Sequence, residues 1–255
     1  MPVFLLTSRF TNDAQALWRV AGREGWRVER VRGIDVPADL DPREPVAIYI
    51  EPLVAPALAE AVGVTLLEPA NDWLAGLPDD LLRRTVRAGT LGQARRLDAP
   101  AFVKPPNDKS FAARVYPDGL ALPEGDDASP VLIAEPVRWR SEFRAFCLDG
   151  KVLTVSPYLR DGRLAQQDGY AATDDELRQA WAVCERVLDR GDLPRAIVVD
   201  VGEIDGRGWA VVEANPAWSS GLYACDPREA FRCVAAACER GSSPAGVGRT
   251  RVEGA

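Results

Sequence analysis

AIVVDVGEIDGRGWAVVEAN, residues 196–215, decides how this chain is read. Two apolar, β-branched runs flank Asp205, Gly206, Arg207 and Gly208, a turn-forming set, so the stretch reads as a β-hairpin. With those four residues as the loop, Ile204 pairs with Trp209, and counting back sets Asp200 opposite Glu213. Asn215 shares their face, because side chains two apart in a strand point the same way. Opposed residues hold their Cβ atoms ~5 Å apart, and two like charges there repel by roughly 3 kcal/mol at an effective dielectric of about 20. A strand with a purely structural task has no use for that repulsion. A divalent cation relieves it, and carboxylate and carboxamide oxygens suit a hard ion such as Mg2+. The competing reading is a solvated hairpin face whose acids are unrelated.

The rest of the composition narrows the chemistry. At 255 residues and 47% apolar content the chain can bury a core as one large domain or two modest ones. No apolar run approaches the ~20 residues of a membrane span, and the N-terminal MPVFLL lacks a signal peptide's basic region, so a cytoplasmic protein without membrane contact is expected. Cys147, Cys184, Cys225, Cys233 and Cys238 are odd in number and lack CxxC spacing; they read as small buried hydrophobes rather than disulfides or a zinc site. The chain has no histidine, which removes Ser-His and Cys-His nucleophile pairs, histidine bases and most zinc hydrolase sites. A formal net charge of −7 argues against nucleic acid as the main partner. Chemistry must therefore run on lysine, arginine and carboxylates, and lysine is scarce.

Residues 1–98 alternate strand and helix: strands at 3–7, 26–31, 45–50 and 64–67, helices at 11–25 and 53–62. That β-α-β series predicts a small parallel α/β sheet. Residues 71–96 read as mostly helical in two pieces, the second starting at Pro78. From 99 the character changes to hairpins, with strands at 102–104, 111–116, 131–134, 142–148 and 151–157. A helix with a Thr173/Glu176 capping box runs over 173–190 with Leu177, Trp181, Cys184 and Leu188 as its apolar stripe. A last helix starts at Asp226 and ends near 240, and residues 241–255 read as a loose tail. The predicted organisation is an α/β domain over 1–98, a second domain over 99–240, then the tail.

Four segments converge on handling a nucleoside triphosphate. The hairpin acids supply the metal. Lys104 ends a strand just before a Pro, Asn, Asp and Ser loop, where a cation on a rigid element can meet phosphates; a surface lysine beside a turn is the plain alternative. Lys109 and Ser110 at the loop tip are candidate phosphate contacts or solvated residues. Residues 131–137, VLIAEPV, form an apolar strand running into a bend, where backbone groups of Glu135 and Val137 suit an adenine edge, or simply end a strand. In SEFRAF, residues 141–146, Glu142 and Arg144 share a strand face; buried there, they must pair or meet a ligand. The segment from Asn215 to Tyr223, rich in Gly, Ser and aromatics, is either a substrate-facing loop carrying Ser219 and Ser220 or a packed turn carrying Trp218 and Tyr223 into the core.

A lysine strand with its loop, an apolar hinge strand, an E-F-R-x-F hairpin, then Asp followed by Glu-x-Asn: this order resembles the ATP-grasp superfamily. SEFRAFCLDGKVLTVSPY and VVDVGEIDGRGWAVVEANP are similar to a divergent ATP-grasp clade that includes bacterial and phage-associated proteins of unknown substrate and a eukaryotic assembly factor for a translation initiation factor. The resemblance covers roughly residues 80–230. It implies an α/β (α+β) ATP-grasp fold, with a pre-ATP-grasp parallel α/β subdomain followed by antiparallel nucleotide-binding sheets. By the same resemblance, Asp200, Glu213 and Asn215 are Mg2+ ligands, Lys104 binds phosphate, Glu135 and Val137 meet adenine, and Arg144 lies near the transferred phosphoryl group. Glu142 would lie near the ribose or orient Arg144. Where many members carry an earlier nucleotide-binding lysine this chain offers Arg83 and Arg84, of which Arg83 is favoured; arginine keeps the charge but changes the contact. The implied activity is an ATP- and Mg2+-dependent carboxylate–amine ligase passing through an acyl phosphate, with small-molecule or peptide substrates. The rivals are a nucleotide-bound assembly factor with little turnover, and a phosphotransferase using the same site.

Overall fold

The computed structural model describes residues 1–41, 43–107 and 110–240; Lys109 and the expected tail over 241–255 lie outside the described residues. The chain opens with β1 (Val3–Thr7), α1 (Asn12–Arg23), β2 (Arg27–Val31), β3 (Val46–Tyr49), α2 (Ala55–Val62) and β4 (Val64–Leu66). β1 lies between β2 and β3, all parallel, as the β-α-β series predicts. Thr11 caps α1 by accepting from Ala14 N at 3.1 Å, and the helix buries Ala14, Leu17 and Ala21 on the sheet. Trp18 lies off that stripe and is half exposed.

The second part runs α3 (Asp79–Leu82), β5 (Val86–Thr90), α4 (Leu91–Ala94), β6 (Ala101–Lys104), β7 (Arg114–Tyr116) and β8 (Pro130–Ala134). Residues 71–96 are therefore not mostly helical: Val86, Ala88 and their neighbours pair antiparallel with β8. The sequence shows helical apolar spacing up to Leu81, but a partner strand more than 40 residues later claims the next segment. The sheet order β5-β8-β6-β7 crosses the compositional boundary expected at 98/99.

The third part is β9 (Trp139–Leu148), β10 (Lys151–Arg160), β11 (Arg163–Leu164), α5 (Asp174–Leu188), β12 (Ala196–Ile204), β13 (Gly208–Asn215), α6 (Pro227–Ala236) and β14 (Cys238–Arg240). Its sheet has the order β11-β10-β9-β12-β13, antiparallel throughout. One face packs Phe143, Ala145, Cys147, Ile197, Val199 and Val201 against Ala180, Val183, Cys184 and Val187 of α5. Trp181 falls outside that stripe, its indole donating to Glu185 at 3.0 Å. The capping box of Thr173 and Glu176 forms as the sequence predicts.

The chain then returns to its beginning. α6 sets Phe231 edge-on to Phe4 (5.2 Å) and Trp26 (5.5 Å), and Phe146, Val198 and Trp218 join the same core. The last helix ends at Ala236, and residues 238–240 form β14, which pairs antiparallel with β4. β4 thus leaves the parallel sheet it was expected to extend. Among the described residues the cysteines are free; Cys147, Cys184, Cys225 and Cys233 are buried.

Candidate active site

The other face of the five-stranded sheet, beyond Phe146 and Val198 in the first core, carries the charged cluster. Asp200 pairs with Glu213 on β13 and with Arg144 on β9, so strand register alone places three charged side chains side by side. Asp200 is fully buried. Arg144 grips it bidentately, Nε to Oδ1 at 2.9 Å and Nη2 to Oδ2 at 2.7 Å. Asn215 closes the group, its Nδ2 donating to Asp200 Oδ2 and to Glu213 Oε1, both at 3.0 Å. On the far side of Glu213 the Lys104 ammonium, at the end of β6, forms an ion pair with Oε2.

These partners set the charge states. Burial raises the pKa of Asp200, against the pull of Arg144. Burial also opposes ionisation of Glu213, but Lys104 and the Asn215 amide outweigh it and hold its pKa below the ordinary value. The Arg144 guanidinium lies against two stacked rings, 5.3 Å from the Tyr158 centroid and 5.1 Å from that of Tyr223, and donates to the Gly221 carbonyl at 3.2 Å. Asp200, Tyr158, Tyr223 and Gly221 orient Arg144; Glu142 instead accepts from the Tyr158 hydroxyl at 2.7 Å. Burial pushes the Glu142 pKa up to about 7.

Two cavities meet at the Lys104–Glu213 pair. One, of about 480 Å3, has apolar walls from Phe102, Leu132 and Ala134, with Glu142, Arg84 and Tyr158 as polar groups and Glu135 to Val137 at its edge. The Glu135 N–H is taken by the Thr85 carbonyl at 2.9 Å, and its carboxylate by Arg207 at 2.6 Å. Among the described residues neither the Glu135 carbonyl nor the Val137 N–H has a backbone partner outside the helices and strands. The second cavity, of about 440 Å3, is walled by Lys104, Asn107, Glu213 and Asn215 together with the Pro105–Pro106 turn. Ser110 stands beyond it, at the wall of a third cavity.

The two neighbouring arginines part company. Arg83, in a left-handed conformation (φ 49°), is exposed and clasps the hairpin from outside through the carbonyls of Trp209 and Arg207, each at 2.9 Å. Arg84 lines the larger cavity, with its guanidinium 4.9 Å from the Trp139 ring centroid, and burial lowers its pKa to about 10. Of the two, Arg84 lines the cavity and Arg83, the one favoured from the sequence, does not. Sequence reading also passes over Tyr158 and Asp13. Tyr158 sits next to a strand proline with nothing local to mark it. Asp13 accepts from Leu222 N at 3.1 Å across the whole chain.

Two carboxylates and a carboxamide within hydrogen-bond distance are a donor set for a hard divalent ion. Among the described residues no group of three or more His, Cys, Asp or Glu could hold a metal ion. Glu213 and Asn215 reach the second cavity, while Asp200 lies beneath them with both oxygens engaged. The segment after Asn215 is a packed turn: Trp218 and Ser220 are buried, and Tyr223 reaches the charged cluster.

A parallel α/β unit followed by two antiparallel sheets, with an acid–cation cluster facing the space between them, is the ATP-grasp architecture. A family model described as an ATP-grasp domain, the second family of its clade, matches residues 81–233, and the chain belongs to that family. Its fold is similar to that of D-cycloserine synthetase DcsG, with a TM-score of 0.57 at 16% identity over 92% of this chain and 99% of that one. It is also similar to the ATP-grasp ligase PsnB complexed with minimal precursor, with a TM-score of 0.51 at 15% identity over 92% and 98%. No curated protein matches the chain in sequence. No helix among the described residues is long and apolar enough to cross a membrane.

Proposed function

We propose that the protein is an ATP- and Mg2+-dependent carboxylate–amine ligase that works through an acyl phosphate. The observation that carries this reading is the position of the Lys104–Glu213 pair between an apolar, base-sized cavity and a polar one. Adenine fits between Phe102, Leu132 and Ala134, with its edge on the Glu135 carbonyl and the Val137 N–H. Arg84 and Glu142 flank the ribose and first phosphates, and Lys104 takes the terminal ones. Asp200, Glu213 and Asn215 would hold Mg2+, which would offset the charge of the phosphates. Arg144 acts from beneath, fixing the Asp200 carboxylate so that it need not reorganise.

Such a site positions and stabilises charge rather than supplying a nucleophile, which matches a chain without histidine. The substrate carboxylate takes the γ-phosphoryl group and releases ADP; the amine then displaces phosphate and loses its proton. The test is turnover. ADP and phosphate release that rises only when both a carboxylate and an amine are added supports the ligase. Nucleotide binding with no such release supports the assembly-factor reading. A phosphorylated product with no amide supports phosphotransfer.

A further inference from the structure

A third cavity, of about 550 Å3, lies beyond the polar one and shares Pro106 and Asn107 with it. Asn107 Nδ2 pins this partition by donating to Pro69 O and Asn71 Oδ1, both at 2.9 Å. The far walls are apolar: Pro52, Leu53 and Pro56 before and within α2, Pro130, and Trp218, held by its indole N–H on Leu67 O at 3.2 Å. Leu53 is 95% exposed at the mouth, an apolar side chain left in water. Among the described residues the ionisable side chains on the wall are Glu51 and Glu68, both of one sign. Glu51 is already satisfied by Thr7 Oγ1 at 2.9 Å and Arg9 Nε at 3.0 Å. Glu68 is exposed, has no ion pair among the described residues, and is desolvated enough by its neighbours to raise its pKa.

We infer that this cavity binds the amine substrate, as a primary amine carrying an apolar side chain, with Glu68 receiving the ammonium group and the proline, leucine and tryptophan walls receiving the side chain. A carboxylate facing a partly desolvated space gains most from an N–H donor or a cation. The third cavity adjoins the polar one at Pro106 and Asn107, so an amine bound in it neighbours the space that Lys104 and Glu213 wall. This assignment rests on the ligase reading above. The ligand's volume fits one apolar residue with room for a short continuation, so a free amino acid derivative and a peptide N-terminus share the required chemistry.

The test uses the full chain, first titrated with Mg2+ and ADP, then with L-leucinamide, N-acetyl-L-leucinamide and the peptide Leu-Ala-Ala. Leucinamide or the peptide should bind about tenfold more tightly than the acetylated probe, and Glu68→Gln should remove that preference. Leucinamide binding assigns a free amine, and binding of the peptide alone assigns a peptide terminus; either supports the site. Leu53→Lys, on an exposed side chain that folding does not need, should weaken binding of leucinamide and the peptide by repulsion of their ammonium groups and spare the acetylated probe. Equal affinity for the acetylated probe, no binding, or full retention in both variants overturns the inference. Mg2+–ADP binding is read separately in each variant, so a failed amine site and a failed nucleotide site give different results.

Discussion

Asp200 and Glu213 face each other across β12 and β13 even though the turn joining the strands is one residue tighter than that pairing requires. Ile204 pairs with Gly208 rather than with Trp209, and a β-bulge between Asp200 and Val201 restores the register at the acids. Arg84 occupies the bulge, donating to Val211 O at 2.7 Å and Val212 O at 3.0 Å. One side chain therefore both lines the nucleotide-sized cavity and braces the strand that carries Glu213.

Arg144 and Asp200 should behave as one unit. Arg144→Met leaves a buried, unpaired carboxylate and is expected to cost about 3–5 kcal/mol of stability. Adding Asp200→Asn to that variant should recover most of the loss. Urea unfolding of the two single variants and the double variant measures the coupling, and simple additivity would show that the pair is not the structural contact described.

Glu142 gives the fold a pH signature. Its pKa in the folded protein, about 7, lies above the ordinary 4.5, so folding favours the protonated form. That contribution is complete below the unfolded value and is lost as pH rises through about 7, an effect of up to ~3 kcal/mol. Glu142→Gln keeps an acceptor for Tyr158 and removes the titration. Its stability between pH 5 and 8 should be flatter than that of the unsubstituted protein, and higher at pH 8; parallel profiles would contradict the burial argument.

Arg83 and Arg84 should separate in nucleotide binding. Arg84→Met is expected to weaken Mg2+–ADP binding by about tenfold, and Arg83→Ala by less than about twofold. Calorimetric titration of both variants checks this, and the reverse order would return the nucleotide contact to Arg83.

Gly202 sits where β12 meets β9 beside Glu142. A Cβ there would collide with the Ser141 carbonyl and lie 2.9 Å from the Trp139 ring. Gly202→Ala should therefore cost about 2 kcal/mol or more in a thermal or urea melt. An unchanged melt would mean that the two strands are not this close.

The period-2 alternation of strands makes much of the cluster legible in the sequence. Asp200, Glu213, Asn215, Arg144 and Glu142 stand on faces that spacing alone assigns, and Lys104 sits at a strand end marked by the prolines that follow it. What stays hidden depends on distant partners. β5 looks helical until β8 pairs with it, and the bulge at Val212 has no local signal. Arg84 differs from Arg83 only in which way α3 ends: Arg83 takes the left-handed C-cap and points outward. Asp13 meets Leu222 only because α6 and the turn before it pack back on the first sheet.

The whole reading of the site turns on whether Asp200, Glu213 and Asn215 gather a magnesium ion that carries a nucleotide. Calorimetric titration with ADP, in excess Mg2+ and again in EDTA, decides it. Binding should require Mg2+ and should fall by about tenfold or more in Glu213→Gln and in Asn215→Ala. Binding that ignores the metal, or that survives both substitutions unchanged, would refute the assignment.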